Sequence, residues 1–156
     1  MRNEQDLDHI DRKILNALQK EGRLSFIELS NRVGLSKTPC LNRVKRLERE
    51  GFIRGYRAEL DPVRVRQSHL VYVQVKLSNT KQASLNAFNL AVQTHPEIMS
   101  CHMMAGGYDY LLKIRTSDMA AYRRFLGEVL STLPHVDQTS SFPVMEQVKE
   151  SHAIPV

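Results

Sequence analysis

Apolar residues recur at helical spacing from the start of the chain. Leu7, Ile10, Ile14 and Leu18 fall on one face, with Leu15 beside them, so Asp6 to Glu21 is predicted to be a helix that Gly22 ends. Acidic residues crowd its first turn, where the helix dipole favours them. Asp8 and Asp11 have the look of an acid–base pair, but the dipole is the simpler account of both. From Leu24 to Gly51 two further helices follow. Ser25 and Glu28 have capping-box spacing, Leu29 and Val33 lie on one face, and Gly34 suits a helix stop. Ser36 can cap the next helix, whose first turn tolerates Pro39. Its inward stripe is Cys40, Leu41, Val44 and Leu47, while Asn42, Lys45, Arg46 and Arg49 follow the same spacing on the other side.

After Gly51 the period changes. Phe52, Ile53 and Tyr56 are strand-prone, so a short strand or wing is expected before the Asp61-Pro62 turn, with Arg54 and Arg57 within reach of phosphate. Leu70–Leu77 alternates strictly, with Val71, Val73, Val75 and Leu77 on one side. A helix over 81–94 carries Leu85, Phe88 and Val92. A strand over 98–105 runs through the Gly106-Gly107 turn into a third strand over 108–115. Ser117 or Asp118 caps a helix with Tyr122, Phe125, Leu126, Val129 and Leu130. A last strand is expected over 136–148, edged by Pro143. The order β-α-β-β-α-β is ferredoxin-like.

The expected class is therefore α+β. A three-helix winged helix-turn-helix unit spans residues 1–60, a linker 61–69, and a ferredoxin-like βαββαβ domain 70–156. Met99, Met103 and Met104, with Tyr108, Tyr110, Leu112 and Ile114, read as apolar on both faces of the middle strands. The face without helices then needs a second copy of the chain to cover it, giving at least a dimer.

Charge sharpens this picture. The chain of 156 residues carries +5. Residues 1–66 hold 15 basic and 10 acidic side chains, and residues 67–156 hold 7 of each, so the whole excess lies in the helical half. A basic patch on an amphipathic helix behind a tight turn fits a polyanion, and double-stranded DNA above all. The other function classes find little support. Cys101 and His102 are adjacent on a strand and point to opposite faces, so they form no dyad. No Gly-rich phosphate loop, HExxH or GxSxG occurs, the histidines are scattered, and Cys40 and Cys101 have neither disulfide nor metal spacing. No catalytic residue, metal or cofactor is expected. A polar N-terminal stretch and the lack of a transmembrane-length apolar run point to a cytoplasmic protein away from membranes.

The segments LDHIDRKILNALQKEGR, VGLSKTPCLNRVKRLEREGFIRGY, AGGYDYLLKIR and VMEQVKES resemble the Lrp/AsnC (feast/famine) transcriptional regulators over nearly the whole chain. The resemblance implies a bacterial, nucleoid-associated regulator of amino-acid metabolism. Such proteins pair through their C-terminal sheets, assemble further to octamers, and bind leucine or another small amino acid in a cleft between neighbouring dimers. On this chain the resemblance implies groove-facing Lys37, Thr38, Pro39, Asn42, Arg43 and Arg46, with a structural role for Arg43 nearly as well supported. Lys45, Arg49, Arg54 and Arg57 position the phosphate backbone on a pseudo-palindromic site. The effector site implied is the Gly106–Asp109 turn. Gly106, Gly107 and Tyr108 present backbone, Asp109 faces the ammonium group, and Thr139 and Ser141 add hydrogen bonds. Met103, Met119 and Phe142 form the apolar wall.

Overall fold

The computed structural model describes residues 7–156; the expected helix start at Asp6 lies outside them. Two compact units divide the chain. One comprises the residues up to Glu59 together with Lys149–Val156, the other Leu60–Val148.

In the first unit, α1 (His9–Lys20), α2 (Phe26–Val33) and α3 (Lys37–Arg49) enclose Ile14, Leu15, Leu29, Val33, Cys40, Val44 and Leu47. Local chemistry sets each boundary. Asp8 and Asp11 form a reciprocal capping box on α1, and Ser25 and Glu28 form one on α2. Gly34 ends α2 in the left-handed conformation at φ 76°, which glycine adopts without a Cβ clash. Ser36 occupies the N-cap of α3, but its hydroxyl makes no capping bond. The expected wing strand is not formed. Residues 52–60 carry no strand, because no neighbouring segment offers them a ladder. The loop is instead tied back to α3: the Ile53 N–H donates to the Leu47 carbonyl (3.1 Å) and the Tyr56 hydroxyl to Glu48 Oε1 (2.9 Å).

Residues 149–156, expected in the second domain, belong with the first. Gln19 Nε2 donates to the Ile154 carbonyl (2.9 Å), the Ile154 N–H donates to Gln19 Oε1 (2.6 Å), and Asn16 Nδ2 donates to the Val156 carbonyl (3.1 Å). The expected linker instead opens the second unit. There Asp61 Oδ1 accepts from the Val63 N–H (2.8 Å) at the start of a tight turn.

The second unit runs β1 (His69–Leu77), α4 (Gln82–Val92), β2 (Ile98–Met103), β3 (Tyr110–Thr116), α5 (Met119–Glu128), a 3-10 turn (Leu130–Thr132) and β4 (Val136–Pro143). Its antiparallel sheet has the order β2-β3-β1-β4, which is the ferredoxin-like arrangement. Asp118 caps α5 by accepting from the Ala121 N–H (2.7 Å). Val71, Val73, Val75, Leu77, Tyr110, Leu112 and Ile114 pack against Phe88, Tyr122 and Phe125 on the helix-covered face.

Two expectations change here. Tyr110, Leu112 and Ile114 are spaced two apart, so all three face the helices rather than both sides. Register places Tyr72, Gln74, Lys76, Leu111, Lys113, Gln138, Ser140 and Phe142 on the other face, which is mixed rather than apolar. β4 is also shorter than expected. Its ladder to β1 stops at Pro143, after which the Val144 N–H bonds once to the Leu70 carbonyl.

Candidate nucleic-acid interface

At 100° per residue, Thr38, Asn42, Lys45 and Arg49 of α3 fall within an arc of about 60°. All four are exposed, diametrically opposite the buried Cys40, Val44 and Leu47. Lys37 and Pro39 are exposed on the flanks of this stripe, and Arg54 and Arg57 are exposed on the following loop. Among the described residues Arg49 makes one long contact, to Glu50 Oε1 (3.7 Å), and its side chain is 74% exposed, so its guanidinium is available to an incoming anion.

Arg43 and Arg46 are placed differently from expectation. Both are half-buried and turned toward α1. Arg43 Nη1 donates to Asp11 Oδ1 (2.8 Å) and to Asp8 Oδ2, and Arg46 Nη2 donates to Asp11 Oδ2. Neither belongs to the outward stripe, and the ion pairs of Arg43 are those that the structural alternative for it calls for. The reason is angular: Arg43 and Arg46 lie on the flank of α3 that meets the N-terminal turn of α1, where two carboxylates stand. Asp8 is held down at about 2, first by the Asp11 N–H and then by the Arg43 side chain, and Arg43 is pushed up by the same pairing.

The sequence did carry a signal for Asp11. It falls inside the apolar stripe of α1, beside Ile10 and Ile14, and a carboxylate in that position needs a cationic partner.

The residues expected around an effector do not converge within one chain. Gly107 and Tyr108 join Gln74, Lys76, Gln138 and Ser140 around a shallow cavity of about 210 Å³ on the face without helices. The Asp109 carboxylate is occupied by the backbone, accepting from the Leu77 N–H (2.7 Å), while its own N–H donates to the Val75 carbonyl (2.9 Å). Thr139 and Ser141 pair with Val75 and Val73 and so face the helices, where the Ser141 and Tyr122 hydroxyls share a short hydrogen bond. Met119 is exposed at the start of α5, and Phe142 is exposed on the opposite sheet face. Met103 lies on β2, the far edge strand, three strand spacings or roughly 14 Å from β4.

The surroundings of Cys101 are not those of a nucleophile. It packs against the core on the helix side, and burial pushes its thiol up to about 11. His102 is exposed and pairs with Leu111 on the other face. Among the described residues, no three or more His, Cys, Asp or Glu side chains are grouped to hold a metal ion, and no helix is long and apolar enough to cross a membrane.

Comparison with known proteins divides the chain into the same two kinds of domain, with residues 149–154 counted in the second. Residues 7–54 match the winged helix-turn-helix DNA-binding family, and residues 70–154 match the Lrp/AsnC ligand binding domain. The chain is 55% identical over 146 residues to a proline dehydrogenase transcriptional activator of Rhizobium radiobacter, covering 94% of each. It is 54% identical over 151 residues to the leucine-responsive regulatory protein of Escherichia coli, covering 97% of this chain and 92% of that one. Among solved structures, it is similar to a transcriptional regulator–L-Met complex from Neisseria meningitidis at TM-score 0.92 and 37% identity, covering 96% and 97% of the two chains.

Proposed function

The chain belongs to the Lrp/AsnC family of DNA-binding transcriptional regulators that respond to amino acids, and from that premise we propose that α3 enters the major groove with Thr38, Asn42, Lys45 and Arg49 foremost. The observation that carries this reading is the outward stripe itself, a narrow arc of polar and cationic side chains on a helix packed solid behind. Thr38 and Asn42 are short and uncharged, suited to base edges; a carboxamide can pair bidentately with adenine. Lys45 and Arg49 neutralise phosphates, as do Arg54 and Arg57 on the loop, while Lys37 and Pro39 border the groove. Arg43 and Arg46 support the helix rather than touch DNA.

The second unit receives an amino acid at the Gly106–Asp109 turn. Gly107 and Tyr108 supply backbone, and Asp109 fixes the turn onto β1. Met103, Met119, Thr139, Ser141 and Phe142 reach the site only if neighbouring copies of the chain share them out, because each copy spreads them over both sheet edges and both faces. The leucine-responsive relative and the L-Met complex favour a small aliphatic amino acid. The protein works without a cofactor and catalyses no reaction. It acts in the bacterial cytoplasm on the nucleoid as a homo-oligomer, a dimer at least and an octamer by family habit. It reads a pseudo-palindromic duplex with half-sites about one helical turn apart.

Two experiments on the full chain test this. Selection from a random duplex pool enriches a two-fold symmetric motif, and a thermal-shift panel of the twenty amino acids gives one or a few aliphatic hits, since ligand binding to the native state raises stability. A pool with no enriched motif contradicts the DNA reading. A panel without hits at millimolar concentration contradicts the amino-acid site.

A further inference from the structure

Asp11 stands out among the ionisable groups of the described residues. It is a carboxylate only 1% exposed, on a helix other than the one that faces DNA. Three N–H groups converge on it: the Asp8 backbone on Oδ2 (3.2 Å), Arg43 on Oδ1 (2.8 Å) and Arg46 on Oδ2. A buried carboxylate is costly unless it is paired, and this one is paired twice from α3, by residues three apart and so about one helical turn distant.

We propose that Asp11 is a positioning residue for DNA recognition, holding α3 at one rotation and one height through Arg43 and Arg46. The inference rests on the reading of α3 as the groove helix. Cys40, Val44 and Leu47 seat α3 on the core through non-directional apolar contacts, and the two directional tethers, a turn apart on its flank, sharpen its roll about its own axis and its slide along it. The arc of Thr38, Asn42, Lys45 and Arg49 makes that roll matter. At a side-chain radius of about 5–6 Å, a roll of about 20° carries the reading atoms through about 2 Å. That displacement is far outside the tolerance of a base-edge hydrogen bond. Arg43 and Arg46 therefore contribute to reading without touching the duplex, and the N-terminal turn of α1 becomes part of the recognition apparatus.

Sign separates this role from a purely electrostatic one. A carboxylate near a polyanion weakens binding, so its removal ordinarily strengthens association with any duplex. Loss of positioning instead lowers affinity for the selected site alone. The experiment measures full-chain affinity for the selected operator and for a scrambled duplex, by fluorescence anisotropy at matched salt, in Asp11→Asn and Arg46→Gln. Partial unfolding scales both affinities equally and leaves their ratio untouched, which keeps the test valid in a destabilised variant.

The expected result is a fall of about tenfold in the operator-to-scrambled ratio in both variants, the scale of losing one good base contact. In Asp11→Asn the scrambled affinity, corrected for the folded fraction, is unchanged or higher. An unchanged ratio in both variants overturns the proposal. A joint substitution of Thr38, Asn42, Lys45 and Arg49 by alanine distinguishes the two levels. If it abolishes discrimination while Asp11→Asn preserves it, α3 reads DNA and only the positioning role falls. If it preserves discrimination, the groove assignment falls and takes the positioning role with it.

Discussion

Asp8 shows how one side chain joins local and tertiary structure. It caps α1 through the Asp11 N–H and also accepts from Arg43, and the two together hold its carboxyl at about 2, against an ordinary 3.8. A group whose folded pKa is depressed stabilises the native state fully above its unfolded value, and that stabilisation is lost as pH falls through the folded value. The first unit is therefore expected to lose stability between about pH 4 and pH 2 partly through Asp8. Thermal unfolding followed by circular dichroism across that window should show a smaller pH dependence in Asp8→Asn than in the parent chain; an identical slope would remove Asp8 from the acid response. The sequence shows Asp8 as an acidic residue favoured by the dipole near a helix start, whereas its place as the N-cap follows from the reciprocal box with Asp11. Its pairing with Arg43, 35 residues on, was not legible, because no local spacing brings those two residues together.

Elements were read well where a periodic signal is internal to the segment. The alternation of Val71, Val73 and Val75 defines β1, and the Ser25/Glu28 box and Gly34 define both ends of α2. Reading failed where an element depends on a partner. Phe52, Ile53 and Tyr56 have strand propensity, yet without a neighbouring strand they remain a loop pinned to α3. Residues 149–156 have no periodicity at all, and the side-chain amides of Gln19 and Asn16 tie their end to α1. Gln19→Ala removes both bonds to Ile154, each worth about 1 kcal/mol. Amide hydrogen exchange of Ile154 is expected to accelerate by about tenfold or more, with the core amides of α1 unaffected. Unchanged protection of Ile154 would show that the segment is held by other contacts.

Across the whole molecule, the division of labour was legible from charge alone. The excess lies almost wholly in the unit that folds as three helices, with 14 basic against 10 acidic residues, while the nearly balanced unit, with 8 against 7, folds as a sheet covered on one face. The grouping of the residues proposed for the effector was less legible. The Gly106–Asp109 turn stands out as a motif, but strand order determines which residues can meet there. The sheet order β2-β3-β1-β4 sends Met103 to one edge and Thr139 and Ser141 to the other. A site drawing on both edges is a property of an assembly, and a single sequence shows only its parts.

On the reading proposed above, DNA is held by the outward stripe of α3 and not by the arginines turned toward α1. The most direct measurement is the salt dependence of affinity for the selected operator in Lys45→Ala/Arg49→Ala, compared with the parent chain. Each phosphate contact contributes about 0.9 to the slope of log K against log salt, so the double variant should lose affinity and about two units of slope. Affinity and slope equal to those of the parent chain would show that the stripe does not hold the DNA.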